Sequence, residues 1–378
     1  MSVEPTAPII DAGLGDVVAA ATRLSSVDGQ KGELIIGGYP LEAFAAQASF
    51  IEAAFLLWHG HRPDIAELAA FSAAWAAEQS LPPATLALLE QAAADNAAPM
   101  AALRMGVASL SQYPDSPTPE GLVADAVSLA AKLPAIIASY WRFRNGQEPL
   151  APRPDLPPAA NFLYLLDGRL PNGDRQRALE TYLNTVVDHG LNASTFTARV
   201  IISTGSDLAS AITGAIGALK GPRHGGAPGP ALDTVLAIHR PEDARGYLSD
   251  LLDRGERLMG FGHRVYKVYD PRAAVLAKAA EALYEDEALH PIYVLAQAVE
   301  KEAIQLLEER KPGRNLQTNV EFYTALLLHG LGIPTELFST VFAMSRVVGW
   351  VAHCREQLET GRIVRPKSIY VGPHFSNW

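Results

Sequence analysis

Apolar residues recur at helical rather than strand spacing along most of this chain. In 207–221, DLASAITGAIGALKG, residues Leu208, Ala211, Ile212, Ala215, Ile216 and Leu219 share one helical face. Ser206 is the expected N-cap and Gly221-Pro222 the stop. Gly214, Gly217 and Ala218 leave a second face almost bare. A glycine inside a helix costs roughly 1 kcal/mol against alanine, so this face predicts close approach of another helix, within the fold or across a dimer. The same period runs through 64–79, 85–95, 121–140, 175–189, 273–284, 292–309 and 336–358. Strand-like alternation is nearly absent. Glu33-Leu34-Ile35-Ile36 before Gly37-Gly38 predicts a small hairpin near the N-terminus. The expectation is an all-α fold, with proline-rich breaks at 112–119 and 149–158 and a glycine-rich break, GPRHGGAPGP, at 221–230.

Length and charge narrow this picture. A chain of 378 residues is too long for one ordinary core and suits two domains. Its 41 acids against 31 bases give a net charge of −10, which argues against nucleic acid or acidic membrane as a partner. An anion site must then be a local basic pocket. The one cysteine, Cys354, allows no intrachain disulfide and no cysteine-based zinc cluster, and suits a reducing cytoplasm. No uninterrupted apolar run reaches the ~18 residues that suggest a membrane-spanning helix, and the N-terminal residues carry no secretory or transit pattern. The GxSxG, GxxxxGK[ST] and HExxH motifs are absent, and GFGHRV lacks the third glycine of a dinucleotide fingerprint.

Candidate chemistry lies in the breaks. His189 (DHGLNAST), His224 (GPRHGGA) and His263 (GFGHRVYK) each adjoin glycine, which lets a ligand approach the backbone. Taken singly each suits a structural or surface role; together they suit hydrogen bonding to a carbonyl that becomes an enolate or alkoxide. Glu321, in NVEFYTALLLHG, is either a first-turn acid favoured by the helix dipole or a general base whose pKa burial raises. Arg272 follows Asp-Pro, Arg346 sits among apolar residues in FAMSRVVGW, and Arg365 lies in IVRPKSIY. An arginine on an apolar face needs an anionic partner or must reach out to water. Three guanidinium groups would suit a di- or tricarboxylate.

The ordered motifs DHGLNAST, GPRHGGA, GFGHRVYKVYDPR, NVEFYTALLLHGLGIP, RVVGWVAHCREQ and RPKSIYVGP resemble the citrate synthase family over nearly the whole chain, most closely the shorter prokaryotic branch that includes 2-methylcitrate synthases. The resemblance implies a dimeric all-α fold, with a large domain from 1–223 and 328–378 and a small inserted domain at 224–327. It implies condensation of acetyl-CoA with oxaloacetate and water to give citrate and CoA, with acyl-CoA as co-substrate and no permanently bound cofactor or metal. By the resemblance, Glu321 would take the methyl proton, His224 would hold the thioester oxygen and His263 would polarise the keto group. His189, Asn192, Arg272 and Arg346 would bind oxaloacetate, with Arg365 reaching in from the other subunit. Gly260, Phe261, Gly262, Arg264, Val265, Lys267, Lys311 and Arg314 would meet CoA. The family base is usually aspartate in NVD, whereas this chain reads NVE. Alternatives are a 2-methylcitrate synthase using propionyl-CoA and a non-catalytic paralogue that binds CoA or carboxylates.

Overall fold

The computed structural model describes residues 13–15, 17–112, 119–225, 228–263, 265–285 and 289–376. Sixteen α-helices, three short 3-10 helices and one small antiparallel sheet make up the regular structure of these residues. The long periodic runs fold as expected: 336–358 lies within the helix Phe338–Thr360 and its preceding short turn, and 292–309 within His290–Arg310. The run at 207–221 forms Leu208–Leu219, but Asp207 rather than Ser206 is the N-cap. Its carboxylate accepts the Ser210 N–H at 2.6 Å, and the register favours the residue three positions before a free N–H. Part of the bare face packs inside the fold, at Gly214, while Gly214, Gly217 and Ala218 all stay half-buried. A Cβ at Gly214 would overlap Ile201 of the neighbouring helix Ala193–Ile202. The run at 175–189 ends sooner than its pattern suggests, as Gly173–Val186, so His189 stands in a loop rather than on a helix.

The predicted hairpin is present and gains a third strand. Ser25–Asp28 pairs with Glu33–Ile36, which pairs with Tyr39–Pro40, in the order of the chain. Leu34 and Ile36 turn inward and Glu33 and Ile35 outward. This sheet caps the edge of a helical body instead of forming its core.

The core is built around Phe338–Thr360. Val341, Ala343, Val347, Val348, Trp350, Val351 and Cys354 on this helix are all buried. Gly349 lets it press against the 187–188 backbone, where a Cβ would overlap the Val187 carbonyl oxygen. Two helices, Gly121–Arg144 and Thr335–Glu359, are long and apolar enough in composition to cross a membrane, yet most of each is buried within the fold. Interruptions by polar residues kept them from registering as uninterrupted apolar runs. After residue 360 the chain runs without helix or strand and is largely exposed, with Ile363, Tyr370, Val371 and Phe375 open to solvent.

Candidate active site

Two loops and three helix starts build one cluster. Loop 187–192 ends in Asn192, which caps Ala193–Ile202 by accepting the Thr195 N–H at 3.1 Å. Loop 260–270 ends in Asp270, which caps Pro271–Leu283, where a proline at the first helical position needs no N–H partner. Asn319 caps Val320–Gly330, so Glu321 sits in its first turn.

Gly260 and Gly262 have φ of +89° and +76°, left-handed values that glycine takes without strain. Between them Phe261 bridges to Thr318, with the Gly262 N–H donating to the Gln317 carbonyl at 2.7 Å and the Asn319 N–H to the Gly260 carbonyl at 2.9 Å. The Asn319 side-chain amide also donates to the Gly262 carbonyl at 2.8 Å. The backbone that carries His263 is thereby stitched to the cap that carries Glu321. The expectation that these glycines leave space for a ligand needs correction. An ideal Cβ at Gly260 would stand 3.0 Å from Phe322, and one at Gly262 2.9 Å from Leu316, so the protein's own side chains fill that space.

The His263 ring is oriented by backbone. Its Nδ1 accepts the N–H groups of Val265 at 3.1 Å and Tyr266 at 3.2 Å, so the ring proton resides on Nε2. Burial first and Arg272 second hold its pKa down to about 4. Nε2 lies 3.2 Å from Nη2 of Arg272, so two donors face each other there. Arg272 is buried, pairs with both carboxylate oxygens of Asp270 at 3.0 and 2.8 Å, and lies 5.5 Å above the Tyr266 ring. His189 meets His263 edge-on, ring centres 5.9 Å apart, and its Nε2 is 3.1 Å from the Tyr266 hydroxyl. Burial, then Arg272, Arg346 and His263, push the His189 pKa well below the ordinary histidine value.

Arg346 is the least compensated charge in the cluster. It is 2% exposed, donates from Nε to the Val186 carbonyl at 2.7 Å and lies 4.6 Å above the Phe342 ring. Among the described residues no carboxylate lies within 4 Å of it. Burial pulls its pKa down to about 10, with Asp188 partly opposing.

His224 occupies the turn after Leu208–Leu219. Its Nε2 accepts the Ser194 N–H at 3.3 Å and faces the Ser194 hydroxyl at 2.8 Å. The Trp350 indole N–H donates to that hydroxyl at 3.1 Å. Nε2 is therefore an acceptor, and the His224 proton sits on Nδ1. Burial and then Arg346 lower its pKa. Glu321 is half-buried. Burial raises its pKa above the ordinary glutamate value, with Arg272 opposing and Asp270 adding to the rise.

His189, His263, Arg272 and Arg346 thus share one field, with Glu321 coupled to Arg272 and His224 to Arg346. Asn192 joins through the Ser194 hydroxyl, 2.8 Å from its Oδ1. Phe261 is half-buried, 5.3 Å from the Phe322 ring, and Val265 is exposed. Lys267, Lys311 and Arg314 are exposed, and the Asn315 amide donating to the Lys267 carbonyl at 2.8 Å sets their two loops side by side. Arg264 lies outside the described residues. Arg365 stands on the exposed C-terminal segment, where the Val364 N–H donates to Ser203 at 2.9 Å; among the described residues no hydrogen bond or ion pair joins Arg365 to the cluster. Ser194, Tyr266 and Asp270 belong to the cluster although sequence reasoning did not select them. The Asp-Pro pair before a helical run was the available signal for Asp270. Among the described residues no group of three or more His, Cys, Asp or Glu side chains is arranged to hold a metal ion.

The family model described as "Citrate synthase, C-terminal domain" matches residues 13–367. The chain belongs to the citrate synthase family. It is 41% identical over 367 residues to a citrate synthase of Haloferax volcanii, covering 95% of each chain. It is 37% identical over 369 residues to a 2-methylcitrate synthase of Mycobacterium tuberculosis, covering 97% of this chain and 91% of that one. The fold matches the crystal structure of citrate synthase from Pyrobaculum aerophilum with a TM-score of 0.88 at 37% identity, covering 100% of this chain and 98% of that one. It matches citrate synthase from Thermoplasma acidophilum, solved in ternary complex with carboxymethyl coenzyme A and oxaloacetate, with a TM-score of 0.89 at 31% identity and 98% coverage of both. The family resemblance read from the motifs is thereby borne out, as is the helical fold.

Proposed function

We propose that this chain condenses an acyl-CoA, acetyl-CoA first, with oxaloacetate and water to give citrate and free CoA. The observation that carries the proposal is buried Arg346, with no carboxylate within 4 Å among the described residues, in one field with Arg272 and two histidines whose pKa values burial lowers; a small dicarboxylate would supply the missing negative charge. The oxygen shared by His263 Nε2–H and Arg272 Nη2 would be the keto oxygen or an adjacent carboxylate oxygen. Arg272, Arg346 and His189 would hold the carboxylates, with Asn192 bracing the loop.

The Glu321 carboxylate takes a proton from the carbon next to the thioester. His224, donating from Nδ1, stabilises the oxygen of the enol or enolate that forms. The carbon nucleophile attacks the keto carbon, and the keto oxygen receives the His263 proton as it becomes a hydroxyl. Water then cleaves the thioester of citryl-CoA, releasing the CoA thiol and the third carboxylate. No step in this sequence calls for a metal. Glutamate in place of the family's usual aspartate extends the base by one methylene, and the raised pKa keeps it a competent proton acceptor.

Three expectations from the resemblance complete the proposal. Residues 224–327 form a small domain carrying His224, His263 and Glu321, with the rest as the large domain. Two chains form a homodimer in which the exposed Arg365 enters the partner's site, consistent with the apolar residues along its segment. The basic lip of Lys267, Lys311 and Arg314 receives the CoA phosphates. A buried, unpaired Cys354 fits a cytoplasmic setting.

Propionyl-CoA as the favoured thioester is the second reading, supported by the similar identity to 2-methylcitrate synthase. One methylene changes pocket binding by only ~1–3 kcal/mol. Release of CoA thiol with oxaloacetate and each acyl-CoA tests both readings. A higher kcat/KM with acetyl-CoA supports citrate synthesis and one with propionyl-CoA supports methylcitrate synthesis. Silence with both from folded protein overturns the proposal.

A further inference from the structure

The N-terminal hairpin touches both histidine loops. At its base, Ser25 Oγ donates to Asp188 Oδ2 at 2.5 Å and accepts the Gly190 N–H at 2.9 Å, so it flanks His189 on either side. At its tip, the Gly29 carbonyl accepts the Lys267 N–H at 2.8 Å, four residues past His263. Gly29 packs so closely there that a Cβ would overlap the Val265 carbonyl oxygen. The second turn glycine, Gly32, has φ of +70° and faces the Tyr269 carbonyl, so the whole tip is shaped to lie on the 265–269 backbone. Asp188 is fully buried, and on its other side His353 of Phe338–Thr360 faces Oδ1 at 3.2 Å. The hairpin is thus anchored to the helix that also carries Arg346.

The contacts matter because the rings they flank meet each other. His189 and His263 come from loops more than 70 residues apart, and few direct backbone bonds tie those loops together. Val265 and Tyr266 supply the N–H groups that orient the His263 ring, and Val265 is the residue on which Gly29 rests. Displacing Val265 would therefore turn the ring.

We propose that the hairpin is a positioning strap, in which Ser25 and Gly29 set the loop of His189 against the loop of His263. Both act through the loops: Ser25 through Asp188 and Gly190, and Gly29 through Val265 and Lys267. The inference rests on the proposed function for its catalytic meaning, and on backbone contacts alone for its existence.

The test compares wild type with Ser25→Ala, Gly29→Ala and the double variant, with Gln30→Ala at the exposed tip as control. Hydrogen exchange reads the strap directly, at the Lys267 amide and across 263–270. Oxaloacetate binding by calorimetry and steady-state turnover read its effect. The two sites are four strand residues, ~13 Å, apart, where independent contacts add. A strap predicts that each single change weakens oxaloacetate binding about tenfold or more, since ~1 Å of misplacement is costly in such sites, and that the second change adds little. Gln30→Ala should behave as wild type. Faster exchange at 263–270 in Gly29→Ala should accompany an unchanged exchange pattern in Phe338–Thr360. Additive losses, or unchanged exchange and binding in Gly29→Ala, would overturn the strap. Wild-type protein that binds no oxaloacetate would instead overturn the proposed function, and the exchange data would still judge the strap. If Gly29→Ala fails to fold, Ser25→Ala carries the test: it should speed exchange at the Lys267 amide, across the hairpin from its own side chain, and unchanged exchange there refutes the strap.

Discussion

Replacing Arg346 with methionine separates the work this residue does for a ligand from its cost to the fold. Burial pulls its pKa from the ordinary arginine value down to about 10, and at about 1.4 kcal/mol per unit this corresponds to about 3 kcal/mol of strain on the charged form. For a cation with a depressed folded pKa, the penalty applies wherever the group is charged, which here means at every pH below about 10. Methionine removes that penalty and fills similar volume. It also loses the bond to the Val186 carbonyl, worth about 1.5–3 kcal/mol for a charged donor, and the contact with Phe342, worth about 1 kcal/mol. The terms cancel to within about 1 kcal/mol, so the ligand-free melting temperature should move by no more than about 2 °C. Ligand binding should not survive. Truncating one partner of a buried charge pair costs about 2–5 kcal/mol, so oxaloacetate affinity should fall by roughly 30-fold to several thousand-fold. Thermal melts with and without oxaloacetate supply the assay. At about 100 times its wild-type Kd, oxaloacetate should stabilise wild type by about 2.7 kcal/mol and Arg346→Met by less than about 0.9 kcal/mol. A variant that melts more than about 5 °C lower without ligand would make the guanidinium structural. One that keeps the full oxaloacetate shift would remove Arg346 from the site.

Glu321→Gln should cut turnover at least about 10²-fold while oxaloacetate binding, measured by calorimetry, stays within about threefold. The acid limb of kcat/KM should have its midpoint above the ordinary glutamate value of 4.5, because burial raises the Glu321 pKa and the protonated acid cannot accept the methyl proton. His263, held down to about 4, should leave no separate limb above that pH. Ser194→Ala removes the hydroxyl partner of His224 Nε2 but leaves the backbone N–H, so kcat should drop by about tenfold with the oxaloacetate KM nearly unchanged; an increase confined to that KM would contradict the assignment of His224 to the thioester.

Legibility from sequence followed the contrast between neighbouring residues. Helices with one apolar face, such as His290–Arg310, revealed their period. Phe50–His59 did not, because eight of its ten residues are buried and no polar face marks the turn of the helix. The cap of Leu208–Leu219 fell on Asp207 because capping depends on which N–H a side chain reaches, a matter of one residue's register. Within the site, histidines beside glycine and arginines in apolar company stood out by type. Ser194, Tyr266 and Asp270 did not, since serine, tyrosine and aspartate are common and their roles lie in what they orient. The bridge between Phe261 and Thr318 is a single pair, too short for any alternation. The glycines of GFGH were correctly marked as special but for an incomplete reason: Phe322 and Leu316 occupy the space they vacate.

On the proposed placement of oxaloacetate, the facing donors on His263 and Arg272 would also decide which metabolites the site turns away. Aspartate has the carbon skeleton and both carboxylates of oxaloacetate, but carries an ammonium where the keto oxygen would be. Its N–H groups would point at the ring N–H and the guanidinium, three sets of donors with no acceptor among them, and two of the groups positively charged. Size and carboxylate recognition could not separate these two metabolites. If oxaloacetate binds as proposed, the proton on Nε2, held there by two backbone amides, would let the site reject the amino acid without any steric gate.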